Sequence, residues 1–202
     1  MIQEFVQAVH DSVRNELRWV HTAIPGTILS YDANTGLATV LPSMMFRKPD
    51  GSTIPYPQIT GVPVVFQQSI GQQVTVAFPV QAGDGCLLIV SEQSIDYWLY
   101  GQETDTDLAF DLSNAICIPG LFNKANGVVK DAVAQNAVIV DVKGTRMTVK
   151  RGKVQIDATD VVINGNVTVN GWVNASGDVK GEGISLAHHT HTCPDGSTSG
   201  PS

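Results

Sequence analysis

The stretch Val138-Ile139-Val140-Asp141-Val142-Lys143-Gly144-Thr145-Arg146-Met147-Thr148-Val149 opens a pattern that runs to residue 186 and decides the fold. Val138/Val140/Val142, Met147/Val149, Val154/Ile156/Ala158, Val161/Ile163, Val167/Val169, Val173/Ala175 and Ile184/Leu186 alternate with polar neighbours. Alternation of this kind puts apolar side chains on one side of an extended chain. Lys143-Gly144, Arg151-Gly152, Asn164-Gly165, Asn170-Gly171 and Ser176-Gly177 punctuate it as corners. Strands this short give a lone chain one apolar side, little to cover it, and open hydrogen-bonding edges. Repeated short strands with Asn-Gly corners mark β-helices in general. A one-chain β-helix generally needs larger coils, so the pattern favours three copies intertwined about one axis, sharing a narrow core of Val and Ile.

Outward from that shaft, toward the C-terminus, stands His189-Thr190-His191. In extended chain both imidazoles leave the same side of the backbone. Two ligands do not complete a metal site, but three chains about a threefold axis would supply six nitrogens, an octahedral set. Cys193, two residues on, is within approach of such a metal. The competing chemistry is a zinc hydrolase built from His189, His191 and Asp195 or Cys193 with an open coordination position. Glycosidase chemistry would need two carboxylates across a cleft, and Asp105, Asp107 and Asp111 are its loosest candidates.

Toward the N-terminus, residues 27–122 read as a small β-barrel. Thr27–Tyr31 and Leu37–Leu41 flank the turn residues Asp32-Ala33-Asn34-Thr35-Gly36. Val62–Phe66, Val74–Phe78 and Cys86–Val90 are further strands, Gly83-Asp84-Gly85 is a tight turn, and Ala115–Ile118 closes the set. Five or six strands in about a hundred residues suit the OB type. Such a barrel raises an OB-type binding module as another alternative, but the strands lack the basic and aromatic interleaving of a nucleic-acid face. Tyr97, Trp98 and Tyr100 cluster in one connection, as packing residues or as an inter-subunit contact. Residues 2–20 form an amphipathic helix, with Ile2, Phe5, Val6, Val9, Val13, Leu17 and Val20 on one stripe. That stripe packs either on its own domain or on neighbouring subunits, and Pro25-Gly26 ends the segment.

Bulk composition narrows the class. Charged residues make up only 15% of 202, and 19 glycines accompany abundant Val, Thr and Asn, which favours β-structure with many turns. The net charge of −7 disfavours a polyanionic partner, so no nucleic acid is expected. No run of 18 apolar residues is present, and Met1-Ile2-Gln3-Glu4 lacks the features of a signal peptide, so synthesis in a cytoplasm is expected. Cys86, Cys117 and Cys193 are odd in number without metal-like spacing, so no disulfide framework is expected, and Cys86 and Cys117 read as core.

Four segments carry a resemblance. Ile24-Pro25-Gly26-Thr27-Ile28-Leu29-Ser30-Tyr31-Asp32, Val62-Pro63-Val64-Val65-Phe66 and Phe78-Pro79-Val80-Gln81-Ala82-Gly83-Asp84 resemble the N-terminal OB domain of membrane-piercing baseplate spike proteins of contractile-tailed bacteriophages. Leu186 to Pro201 is similar to the tip of such spikes. The resemblance implies a mainly β protein: an N-terminal helix (1–22), an OB-fold domain (23–122), a linker (123–135), a trimeric β-helix shaft (136–187) and a metal-binding apex (188–202). It implies a homotrimer in the virion's tail baseplate, made in the host cytoplasm, which caps the tail tube, contacts hub proteins and pierces the host outer membrane mechanically rather than as an enzyme. It also implies iron, one Fe(II) per trimer, held by His189 and His191 of each chain. Six imidazoles suit Fe(II) better than four-coordinate Zn(II), with nickel still open. Some relatives carry another histidine near the position of Cys193. Larger ones carry a muramidase between collar and shaft, for which the residues around Lys124–Gln135 are far too few.

Overall fold

In a computed structural model, the structure describes residues 2–48, 50–102, 108–194, 196–197 and 199. The chain divides into two compact units, Met1–Asp131 and Ala132–Ser202.

The first unit begins with helix α1 (Ile2–Leu17). Strands β1 (Ala23–Asp32), β2 (Leu37–Pro42), β3 (Met45–Arg47), β4 (Thr53–Pro55), β5 (Ile59–Pro63), β6 (Gln67–Ser69), β7 (Val74–Val76), β8 (Gly85–Val90) and β9 (Ala115–Pro119) follow, with a short helix α2 (Asp96–Tyr100) between the last two. Five strands form one antiparallel sheet in the order β5-β2-β1-β8-β9, while β3-β4 and β6-β7 are separate hairpins. The sheet curls into a half-barrel. Its two edges approach at a parallel bridge between Val64 and Cys117, where the Val65 amide donates to the Cys117 carbonyl at 2.9 Å.

Alternation builds the core. Ile24 and Ile28 of β1, Ala38 and Val40 of β2, Cys86, Leu88 and Val90 of β8, and Ala115 and Cys117 of β9 face inward and are buried. Burying a side chain such as Leu88 stabilises by about 1.5–3 kcal/mol. A register shift between Ile28 and Ser30 bends β1 as a bulge does. At the β1–β2 turn, the Asp32 carboxylate accepts from the Asn34 amide at 2.9 Å and from Thr35 Oγ1 at 3.1 Å, and Gly36 closes the turn at φ 74°. These bonds, with that of the Asn34 amide foremost, hold the Asp32 carboxyl below its ordinary range. Cys86 and Cys117 are free, fully buried thiols, as expected. The hydrogen bond that the Cys117 thiol donates to Cys86, reinforced by burial, pushes the Cys117 thiol well up.

Several expectations change. The helix stops at Leu17 rather than at residue 20, and Pro25-Gly26 lies inside β1 instead of ending the helical segment. Proline fits there because strand tolerance depends on which amides the ladder needs. Gly26 fits because a Cβ on it would stand 2.7 Å from Val40 Cγ1. The expected strand 62–66 is Ile59–Pro63, and 74–78 shortens to β7, outside the main sheet. The stretch 123–135, expected as a linker, contains helix α3 (Gly127–Gln135). No α1 residue is buried, so its stripe is not packed on its own domain; Tyr97, Trp98 and Tyr100 likewise stand exposed.

The second unit contains a three-stranded antiparallel meander, β10 (Val138–Val142), β11 (Thr145–Lys150) and β12 (Lys153–Asp157). Val142 pairs with Thr145 across Lys143-Gly144, both at positive φ, the geometry of a two-residue type I′ hairpin. The Arg146 guanidinium donates to Asp141 Oδ2 at 2.7 Å across this pair of strands. Residues 158–179 form no strand, although their alternation predicts three. Two short pairs follow: β13 (Lys180–Gly181) with β14 (Ile184–Ser185), and β15 (Thr192–Cys193) with β16 (Gly196–Ser197). Among the described residues, every buried hydrophobic belongs to the first unit. In the second, Val142 is 71% exposed, Val162 79% and Trp172 96%.

Candidate metal centre and an aromatic cleft

Residues 178–189 build the platform under the two histidines. Asp178 Oδ1 accepts from the Ser185 hydroxyl at 2.8 Å and from the Ala187 amide at 3.3 Å. Ser185 Oγ in turn accepts from the His188 amide at 2.8 Å, and the Leu186 amide donates to the Val179 carbonyl. Ser185 thus ties the turn at residues 186–188 to the preceding hairpin. Its hydrogen bond, first among several, holds the Asp178 carboxyl below its ordinary range.

His189 is the oriented member of the pair. Its Nδ1 lies 3.1 Å from both the Ser185 and the Leu186 carbonyl oxygens. A carbonyl only accepts, so Nδ1 carries the proton and the neutral ring keeps its lone pair on Nε2. Metal-bound histidines are characteristically held this way, by a backbone carbonyl on the opposite nitrogen. The His191 ring stands perpendicular to that of His189, with centroids 5.1 Å apart. His189 is half-buried and His191 exposed. Among the described residues, no group of three or more His, Cys, Asp or Glu gathers as a metal site within one chain. Within the described residues, the donors gathered here are the two imidazoles, fewer than a closed site needs. A hydrolytic zinc site would need further ligands, and Asp195 and the side chain of Cys193 lie outside the described residues. Asp105 and Asp107 do too. Asp111 caps a 3-10 turn, Leu112–Asn114, by accepting from the Ser113 amide at 2.8 Å.

Nothing in the sequence marks a second feature, an aromatic cleft of about 560 Å³ in the first unit. Trp19 stacks on Phe46 (5.8 Å between centroids, 29° between planes), Phe46 meets Tyr56 edge-on at 5.9 Å, and Tyr56 meets His21 edge-on at 5.8 Å. These rings come from the segment after α1, from β3, and from the residues after β4. The His21 amide donates to the Phe110 carbonyl at 3.1 Å, which sets His21 beside Asp111. Burial lowers the His21 imidazole from its ordinary value, while the Asp111 charge pulls it back upward.

The half-barrel and its hairpins make this a mainly β protein. Residues 24–120 match the family model described as phage protein Gp138 N-terminal domain. This supports a phage tail or baseplate-related, virion-associated protein. Comparison with curated proteins gives no match.

Proposed function

We propose that this chain is a baseplate spike: a homotrimer that caps the tail tube and pierces the host outer membrane by force rather than by catalysis. The observation that carries the reading is the second unit, whose Val and Ile side chains alternate as a core would yet are exposed in a single chain. Three copies would bury them along a common axis and pair the edges that residues 158–179 leave open. The five-strand order with its single parallel bridge supports an OB-type collar for the first unit.

At the apex, His189, through Nε2, and His191 of each chain would hold one Fe(II). The metal would act as a cross-link that fastens three chain ends. With all six positions filled by imidazole it would have no open site for substrate, which sets this reading apart from a zinc hydrolase. Stiffness of the shaft and compactness of the apex are then the functional properties.

Native mass measurement should give three chains, and elemental analysis one iron per trimer. A folded monomer in solution would overturn the trimer. Retention of iron after joint His189→Ala and His191→Ala replacement would overturn the ligand assignment.

A further inference from the structure

We propose that the aromatic cleft of the first unit receives a single basic side chain, an arginine or lysine, presented by a partner polypeptide. The rings of Trp19, Phe46 and Tyr56, stacked and edge-on to one another, line the cleft, and Asp111 lines it from the 3-10 turn. A guanidinium or ammonium over such rings is attracted by their quadrupoles, most strongly by that of Trp.

The carboxylate supplies the second contact. Asp111 Oδ1 already accepts both the amide and the hydroxyl of Ser113, at 2.8 and 2.7 Å. Among the described residues, Oδ2 takes no hydrogen bond, and it is free for one charge-assisted bond. Among the described residues, no Lys or Arg lines the cleft, and burial lowers the His21 imidazole from its ordinary value. Among the described lining residues, Asp111 brings a negative charge that no Lys or Arg opposes.

Other occupants fit less well. An apolar segment would cover the Asp111 carboxylate without a partner, at a desolvation cost. A saccharide needs several convergent hydrogen-bonding groups. Here the Ser113 hydroxyl is committed to Asp111, and Trp19, His21, Tyr56, Gln58 and Thr60 supply the polar groups that remain, so a saccharide is the competitor that methyl glucoside tests. A phosphate would face Asp111 with like charge. The inference does not depend on the trimer or on the metal.

The test is saturation-transfer NMR on the full chain, observing N-acetyl-arginine amide and its neutral isostere N-acetyl-citrulline amide. Saturable arginine binding about tenfold stronger than citrulline binding is expected, with a similar loss on Asp111→Asn or Trp19→Ala. Asparagine also caps helices, and Trp19 is 65% exposed, so both variants should keep the fold, as circular dichroism would verify. Equal binding of the two amides, arginine binding undiminished in Asp111→Asn, or tighter binding of methyl glucoside than of arginine would overturn the proposal.

Discussion

The Asp178 carboxylate accepts the Ser185 hydroxyl at 2.8 Å, and through Ser185 it reaches the backbone of His188 and the ring of His189. This contact spans seven residues and lies on the exposed surface, so it adds little to stability. Its consequence is orientation. Ser185 uses its hydroxyl to hold the turn and its carbonyl to hold Nδ1 of His189.

If the proposed trimer forms, Asp178→Ala should therefore leave three chains in the native mass while loosening the histidine platform. Outer partners of metal ligands typically matter 10–100-fold in affinity. Iron retained against a competing chelator should fall by about tenfold or more, read by elemental analysis. Unchanged retention would mean that His189 is oriented by the metal alone.

The interior of the half-barrel makes a separate prediction. A Cβ on Gly26 would meet Val40 Cγ1 at 2.7 Å and Cys86 Sγ at 3.2 Å, both on fully buried residues. Gly26→Ala should cost about 1–3 kcal/mol through overpacking. Leu88→Ala, at a site with no exposure, should cost about 2–5 kcal/mol through the cavity it leaves. Denaturant unfolding followed by near-ultraviolet circular dichroism would read both. A Gly26→Ala protein as stable as the parent would show that Val40 shifts freely.

Burial of His21 sets a pH dependence. Its folded value lies below the unfolded one of about 6.5, so its neutral form contributes stability that is fully present above that pH. The contribution is lost as the pH falls through the lower folded value. Asp111, also lowered, first by its side-chain bond to Ser113, loses its own contribution only at more acidic pH. Asp111→Asn removes the attraction that raises His21, so His21 should titrate lower still. A histidine ring resonance followed by NMR would show this, and titration at or above 6.5 in the parent would contradict it.

Much of the half-barrel is legible because its strands alternate. Cys86, Leu88 and Val90 face inward at every second position, and Asp32-Ala33-Asn34-Thr35-Gly36 carries the residues its turn needs. Boundaries were less legible. Pro25-Gly26 has the composition of a break, yet close packing against Val40 makes glycine necessary inside β1. Helix α3 is short and weakly amphipathic, so its residues gave little periodic signal. The paired histidines stood out by spacing alone, whereas the Nδ1 contact to Ser185 depends on how the 186–188 turn folds back. Trp19, Phe46, Tyr56 and Asp111 come from four places in the chain, and no local pattern joins them.

The second unit offers the sharpest test of the proposed shaft, because two neighbouring residues look alike in one chain. Ile163 is 62% exposed and Val162 79%, and neither lies in a strand. On a monomer's surface, aspartate at either place should change stability by no more than about 0.5 kcal/mol. In an intertwined trimer they differ, since successive residues of extended chain point to opposite sides. Ile163 shares its side with Val161, and three inward carboxylates would meet near the axis, desolvated and of like charge. Ile163→Asp should then lower the trimer population and release monomer in native mass spectra, while Val162→Asp should assemble as the parent does. Equal behaviour of the two variants would mean that residues 161–163 face no shared core.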